Sequence, residues 1–232
     1  MILAAGRGER MRPLTDKVPK PLLKVGGRPL IEHQLLKLKD AGVDRIVVNT
    51  AHLGEQIRTY VGTGYRWGLT ISHSEEPEGA LETGGGIRQA LGWLGAAPFI
   101  LINGDVVSDF DLRTLPTSPD GLAHLVLVPN PPHHPHGDFA LQKSRVALDG
   151  RRYTYAGMAV VRPALVASHV PGRFPLAPLL ADAIRSDQVS GQLHRGLWVD
   201  VGTPERLREA DALIRRSRRP RDQVLSPKER GA

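Results

Sequence analysis

The 232-residue sequence predicts an α/β protein with a Rossmann-like three-layer αβα sandwich and a mostly parallel mixed sheet. Two observations support this fold. Short apolar segments alternate with segments of helical periodicity at the spacing of βαβ units. Glycine and proline residues mark segment ends, as where a predicted helix stops at Gly42. Such sheets bind their ligands at the carboxyl ends of the strands, which is where we look for function.

The predicted elements follow from this alternation in chain order. Strands are expected at Met1–Ala5, Arg45–Asn49, Leu69–His73, Phe99–Asn103 and Leu122–Val128. Short strands are also expected within 138–162, ending in Ala156–Val161, and one more is expected at the start of the segment from Trp198 to Glu205. Helices are expected at Pro29–Ala41, Gly54–Val61, Thr83–Leu94 and Leu176–Arg185, and from Pro204 to about Arg215 with Thr203 as the cap. The helix at Thr83–Leu94 contains glycines at 84–86, which predicts a close backbone approach at its start.

Composition places the chain among globular proteins and limits its partners. There is no cysteine, so disulfides and thiolate metal sites are excluded. No apolar run approaches the ~20 residues of a membrane-spanning helix, and the N-terminus lacks the pattern of a signal peptide. We therefore expect a cytoplasmic protein that does not act at a membrane.

The net charge of +7 is concentrated at the C-terminus. Residues 215–232 hold seven basic and two acidic residues, and this +5 leaves the preceding 214 residues almost neutral. We expect one domain over residues 1–214 and a basic, disordered tail over 215–232. Nucleic acid is accordingly not an expected partner of the domain.

The N-terminal segment from Leu3 to Thr15 carries the most information about function. A short strand leads into Gly6 and Gly8, whose lack of a Cβ lets backbone N–H groups approach phosphate oxygens. Arg10 and Lys20 add the positive charge that a triphosphate requires. The pattern is neither a Walker A motif nor a dinucleotide-binding motif. The alternative is a strand-to-helix turn with solvated arginines.

Two aspartates follow predicted strands, Asp105 after Ile102-Asn103-Gly104 and Asp200 within Trp198-Val199-Asp200-Val201-Gly202-Thr203. In a parallel sheet both would face the same edge as the glycine loop. Because Mg²⁺ is commonly held by one or two carboxylates with phosphate oxygens and water, this pair predicts a magnesium site. The alternative is that one forms a turn and the other caps a helix.

Together these motifs resemble the sugar-nucleotide pyrophosphorylases, nucleotidyltransferases of GT-A-like fold that join a nucleoside triphosphate to a sugar 1-phosphate. The resemblance spans residues 1–214. Two further segments narrow it to the branch of uridylyltransferases acting on N-acetylmuramate α-1-phosphate: Leu81-Glu82-Thr83-Gly84-Gly85-Gly86, and Asn130-Pro131-Pro132-His133-His134 leading into Gly137-Asp138-Phe139.

The resemblance implies nucleotide contacts. The loop with Gly6, Gly8, Glu9 and Arg10 would line the triphosphate, and Lys20 would contact the α-phosphate and the sugar phosphate. Arg10 and Lys20 are therefore the expected catalytic residues.

The resemblance also implies contacts with the other groups. Glu82 and Thr83 would lie beside the nucleoside, and Asn103 and Asp138 would bind the sugar. Asp105 and Asp200 would hold Mg²⁺. His133, His134 and His136 lie in a proline-rich loop and are interpreted as loop residues near the sugar rather than metal ligands.

The expected substrates are UTP and N-acetylmuramate α-1-phosphate, in peptidoglycan recycling. Many glucose-1-phosphate enzymes of the family carry a Glu-Lys pair that grips the sugar, and residues 139–155 lack it. Two alternatives stay open. One is a mannose-1-phosphate guanylyltransferase-like enzyme or another sugar-1-phosphate nucleotidyltransferase. The other is a catalytically silent nucleotide-binding regulatory domain. The full set of Arg10, Lys20, Asp105 and Asp200 argues against the silent domain.

Overall fold

The computed structural model describes residues 1–77 and 81–217, and within these ranges the chain forms thirteen strands and six α-helices. The strands are β1 (Ile2–Leu3), β2 (Lys24–Val25), β3 (Arg28–Pro29), β4 (Arg45–Thr50), β5 (Thr70–Glu75), β6 (Phe99–Asn103), β7 (Val106–Ser108), β8 (Ala123–Val128), β9 (Phe139–Gln142), β10 (Arg145–Ala147), β11 (Arg152–Val161), β12 (Val189–Leu193) and β13 (Trp198–Asp200). The helices are α1 (Leu30–Asp40), α2 (Gly54–Val61), α3 (Glu82–Leu94), α4 (Ala164–Ala167), α5 (Ala177–Arg185) and α6 (Pro204–Ser217).

Nine strands form one sheet in the order β5-β4-β1-β6-β11-β8-β12-β10-β9. The first four of these run parallel to one another. β11 runs antiparallel to both β6 and β8, and β12 is parallel to β8. The predicted α/β fold with a mixed sheet is confirmed, and the parallel strands β5, β4, β1 and β6 come from the first half of the chain.

Apolar side chains cover both faces of this sheet. Leu35 of α1 and Ile57 of α2 belong to the buried cluster on one face, and Ile87 of α3 and Leu180 of α5 belong to the cluster on the other. A third cluster joins Met11 of the N-terminal loop to β13 and α6. The helix–sheet–helix layering that the sequence predicted is therefore present.

The four parallel strands end at one edge of the sheet. Leu3 of β1 lies in register with Asn49 of β4 and Asn103 of β6, and Asn49 lies in register with Ser74 of β5. The Gly104 N–H donates to the Leu3 carbonyl at 2.9 Å, and a Cβ at Gly104 would lie 2.7 Å from that oxygen. The chain segments that leave these strands are therefore gathered at this edge.

Asp200 does not end a strand of the parallel sheet, which corrects the expectation from sequence. It is the last residue of β13, which pairs antiparallel with β7 in a separate two-stranded sheet. β7 begins directly after Asp105, and this pairing satisfies the backbone groups of β13 outside the main sheet. The Val201 N–H donates to the Asp105 carbonyl at 2.9 Å, so the small sheet still brings Asp200 beside Asp105.

The triple glycine lies in the first turn of α3, where other segments approach closely. A Cβ on Gly84 would lie 2.9 Å from the Phe174 carbonyl oxygen, and one on Gly86 would lie 3.0 Å from Asn49 Nδ2. The Gly85 N–H donates to the Phe174 carbonyl, and the Phe174 N–H donates to the Leu81 carbonyl, both at 3.1 Å. The predicted close backbone approach is confirmed.

Most predicted boundaries agree with the structure, and α2 and β6 match residue for residue. β12 was not predicted, although it lies inside the sheet. α6 continues to Ser217, three residues into the segment predicted as a tail, and residues 218–232 of that segment lie outside the described residues. Within the described ranges, no helix combines the length and apolar character needed to cross a membrane.

Candidate active site

A cleft of about 1420 Å³ opens at the carboxyl ends of the parallel strands. Its walls come from the loop after β1, the ends of β4 and β6, the start of α3 and the segment before α5. Nine of the predicted site residues line it: Gly6, Gly8, Glu9, Arg10, Lys20, Glu82, Thr83, Asn103 and Asp105. Residues that had been predicted from motifs distant in sequence therefore meet in one cavity.

The N-terminal loop forms the floor of this cleft. Gly8 has a φ of 68°, in the left-handed region, and its carbonyl accepts from the Met11 N–H at 2.9 Å and the Thr15 hydroxyl at 2.8 Å. A Cβ at Gly8 would lie 3.2 Å from Lys20 Cβ, so glycine is needed for both conformation and space. Arg10 is exposed and makes no ion pair within the described part of the chain. Its charge is free to meet a polyanion.

Lys20 lines the cleft from a 3-10 turn at Lys20–Leu22, which follows the N-terminal loop. Its Nζ forms an ion pair with Asp105 Oδ2, and the Lys20 and Asp105 side chains are 13% and 30% exposed. The other carboxylate oxygen, Asp105 Oδ1, accepts no hydrogen bond from the residues that the structure describes. The cation predicted for phosphate and the carboxylate predicted for metal are thus direct neighbours.

Asp200 is held by a residue that the sequence did not single out. Arg206, in the first turn of α6, donates from Nη1 to Asp200 Oδ2 at 2.6 Å. The same Nη1 lies 2.7 Å from His133 Nε2. Asp200 is not itself on the cleft wall, but Gly202, two residues further on, is. The Asp200 carboxylate therefore lies at the margin of the cleft.

A buried carboxylate at Glu76 joins three walls of the cleft. Glu76 is 8% exposed and accepts from Asn49 Nδ2 at 2.6 Å and from the Leu81 N–H at 2.7 Å. Asn49 Oδ1 in turn accepts from the Ala4 N–H at 2.7 Å. This chain of bonds ties the N-terminal loop to the end of β4 and the start of α3. Sequence reasoning missed it, because Asn49 lies 27 residues from Glu76 and 45 residues from Ala4 along the chain.

The start of α3 supplies Glu82 and Thr83 to the cleft. Glu82 has a φ of 60°, which is unusual for a residue with a side chain. Its Oε1 accepts from Arg173 Nε at 3.0 Å, and Arg173 also lines the cleft. On the opposite side, the Asn103 side chain packs over Gly157, where a Cβ would lie 2.6 Å from Asn103 Nδ2.

Asp138 lies away from the residues that line the cleft. Its Oδ2 accepts from the Tyr155 N–H at 2.7 Å, and its Oδ1 lies 3.0 Å from His134 Nε2. Burial, together with the negative charge of Asp138, raises the pKa of the Tyr155 hydroxyl. In this structure Asp138 anchors the 130–138 loop to β11, and its predicted sugar contact stays a prediction.

The chain was compared with known protein families and relatives. The model of the family described as "Nucleotidyl transferase" matches residues 1–139. The N-acetylmuramate alpha-1-phosphate uridylyltransferase of Neisseria meningitidis serogroup B is 51% identical over 223 residues, covering 92% of this chain and 96% of the relative. The protein of the same name from Caulobacter vibrioides is 32% identical, with the same coverage of both chains.

Solved structures share the fold. A Bacillus anthracis protein, assigned provisionally as a glucose-1-phosphate thymidylyltransferase and solved with sucrose, superposes with a TM-score of 0.81. The alignment covers 92% of this chain and 94% of that protein, at 23% identity. At that identity the likeness supports the fold alone.

Proposed function

The chain belongs to the nucleotidyl transferase family, and we propose that it joins UTP to N-acetylmuramate α-1-phosphate, releasing pyrophosphate and UDP-N-acetylmuramate. The observation that carries the proposal is the meeting of the N-terminal glycine loop, Lys20 and Asp105 in one cleft. The identity and coverage of the Neisseria relative support the choice of substrates. Peptidoglycan recycling in the cytoplasm, where UTP is supplied, is the setting that we propose for this reaction.

The proposed nucleotide site is the part of the cleft between the N-terminal loop and α3. Backbone N–H groups of residues 6–10 and the Arg10 guanidinium would face the β- and γ-phosphates. Glu82 and Thr83 would lie beside the nucleoside. Lys20, which is paired with Asp105 in the cleft, would contact the α-phosphate and the incoming sugar phosphate.

The proposed metal is Mg²⁺, and its fit depends on Asp105 and Asp200. Asp105 Oδ2 is paired with Lys20, and Asp200 Oδ2 is paired with Arg206. The Oδ1 atom of each carboxylate accepts no hydrogen bond from the described residues. The described ranges contain no cluster of three or more metal-ligating side chains, so phosphate oxygens and water would complete the coordination. When bound, Mg²⁺ would neutralise developing phosphate charge.

The main task of the protein in this reaction is to position the two substrates. An oxygen of the sugar phosphate attacks the α-phosphorus in line, the new P–O bond forms, and the bond to the β-phosphate oxygen breaks as pyrophosphate leaves. The attacking phosphate is already anionic, so no general base is required. Lys20 and Arg10 would lower the barrier by holding charge that shifts between oxygens in the transition state.

A pyrophosphate-release assay tests the proposal by pairing each of UTP, GTP, ATP and dTTP with several sugar 1-phosphates. We expect the highest kcat/KM for UTP with N-acetylmuramate α-1-phosphate. A higher value for GTP with mannose 1-phosphate would replace this assignment with a guanylyltransferase. Binding of nucleotide without pyrophosphate release from any pair would identify a silent nucleotide-binding domain.

A further inference from the structure

The residues around Asp200 form a small polar network at the margin of the cleft, in which Arg206 is buried and Asp200 and His133 are partly exposed. Arg206 is only 9% exposed, which is rare for arginine unless its charge is paired. Its partners are Asp200 and His133, and His133 belongs to the histidine-rich loop that the sequence predicted to lie near the sugar. Three separate segments, β13, α6 and the 130–138 loop, therefore converge on one guanidinium.

The geometry fixes which oxygen of Asp200 is engaged. One N–H of Arg206 Nη1 points to Asp200 Oδ2 at 2.6 Å, and the other is left for His133 Nε2 at 2.7 Å. Because arginine only donates, His133 Nε2 acts as the acceptor. The other oxygen, Asp200 Oδ1, lies on the side of Gly202, where a Cβ would be 2.9 Å from it.

Gly202 leaves the space that this arrangement needs. A Cβ at residue 202 would overlap the Arg206 guanidinium and crowd Asp200 Oδ1. The Thr203 hydroxyl accepts from the Arg206 N–H at 3.4 Å, which fixes the first turn of α6. Since Gly202 lines the cleft, the uncommitted oxygen of Asp200 is the one closer to the cleft wall.

We propose that Arg206 is a positioning residue that, with His133, locks Asp200 so that Oδ1 alone is presented to the metal. The inference rests on the proposed function, in which Asp200 is a metal ligand. Partners that orient a ligand in this way typically contribute about 10–100-fold to metal affinity. The histidine-rich loop thereby gains a role in the metal site without binding the metal.

The test uses Mn²⁺ as the probe, with free Mn²⁺ followed by electron paramagnetic resonance during titration of the full chain with UTP present and no sugar phosphate, against Mn²⁺ and UTP alone as the blank. Arg206→Lys keeps the positive charge and loses the planar guanidinium that bridges Asp200 and His133. We expect it to weaken Mn²⁺ binding about tenfold. His133→Ala keeps Arg206 and should weaken binding in the same direction by a smaller factor.

His134→Ala is the matched control, because this neighbouring histidine contacts Asp138 rather than Asp200. Its Mn²⁺ affinity should stay within about twofold of the unmodified chain, well below the effect of an orienting partner. Asp200→Asn should lose most binding. Circular dichroism and thermal unfolding identify any variant that fails to fold, in which case His133→Ala alone decides the question.

The outcomes separate the inference from the proposed function. If Asp200→Asn binds Mn²⁺ as the unmodified chain does, the metal assignment itself fails. If Asp200→Asn weakens binding while folded Arg206→Lys and His133→Ala do not, only the positioning role is overturned. Tighter binding by Arg206→Lys would also overturn it, because Arg206 would then be competing with the metal.

Discussion

Replacing Glu76 with glutamine tests how the cleft walls are held together. Glu76 is buried and accepts two hydrogen bonds, from Asn49 Nδ2 and from the Leu81 N–H. Glutamine has nearly the same shape but offers one acceptor oxygen and one NH₂ group. One of the two donors would therefore face another donor, at a site where Glu76 is only 8% exposed.

The expected magnitude follows from these two contacts. A hydrogen bond to a charged group contributes about 1.5–3 kcal/mol, and a buried donor left unpaired costs about 1–3 kcal/mol. We expect Glu76→Gln to lower the free energy of unfolding by about 2–3 kcal/mol. For a domain of this size that corresponds to a fall in Tm of about 4–12 °C.

The assay is urea unfolding of Glu76→Gln beside Glu75→Gln as a matched control. The Glu75 side chain is 63% exposed, and its ion pair with Arg58 at 3.3 Å belongs to a class that contributes about 0–1 kcal/mol. The KM for UTP should also rise in Glu76→Gln, because Asn49 would hold the Ala4 N–H less firmly. A Glu76→Gln variant within about 0.5 kcal/mol of the control would refute the reasoning.

Further outcomes follow from other sites. Asp105→Asn and Asp200→Asn should each remove Mg²⁺-dependent turnover while circular dichroism stays unchanged; retained activity would remove the metal assignment. Lys20→Ala should lower kcat about 10²-fold or more, with Lys24→Ala, an exposed neighbour, as control; a change in KM alone would make Lys20 a binding residue. Burial lowers the pKa of His124 below its ordinary value of 6.5. The folded protein therefore loses stability as the pH falls below 6.5, because the unfolded chain then binds the proton more readily. His124→Asn should flatten this pH dependence of the free energy of unfolding in urea. Deletion of residues 218–232 should leave Tm and kcat/KM unchanged, because the segment has little apolar sequence to pack.

Much of the fold could be predicted because its signals are local. The helix over Gly54–Val61 and the strand over Phe99–Asn103 were predicted to the residue, since periodicity and flanking turns mark them. β12 was missed because Val189–Leu193 reads as a polar segment with a central glycine. It is a strand because it pairs with β8 and β10, and a local sequence pattern carries no information about this pairing.

The same distinction applies to the candidate site. Glycines and strand-end carboxylates could be identified because their chemistry needs those residue types at those places. Arg206 could not be identified from the sequence, because a charged residue in the first turn of a helix is usually solvated. Only the folded chain shows that the 130–138 loop closes over it and places His133 against its guanidinium.

Asp200 illustrates how two predicted site residues can be brought together by a route other than the predicted one. The parallel-sheet argument required only that Asp105 and Asp200 share an edge. The structure meets that requirement by another route, in which the chain after Asp105 turns into β7 and pairs with β13. This route leaves Asp200 outside the main sheet, in register with Val106 of β7, so no side chain of the main sheet orients its carboxylate. An orienting group must then come from elsewhere, and Arg206 is the group that the structure provides.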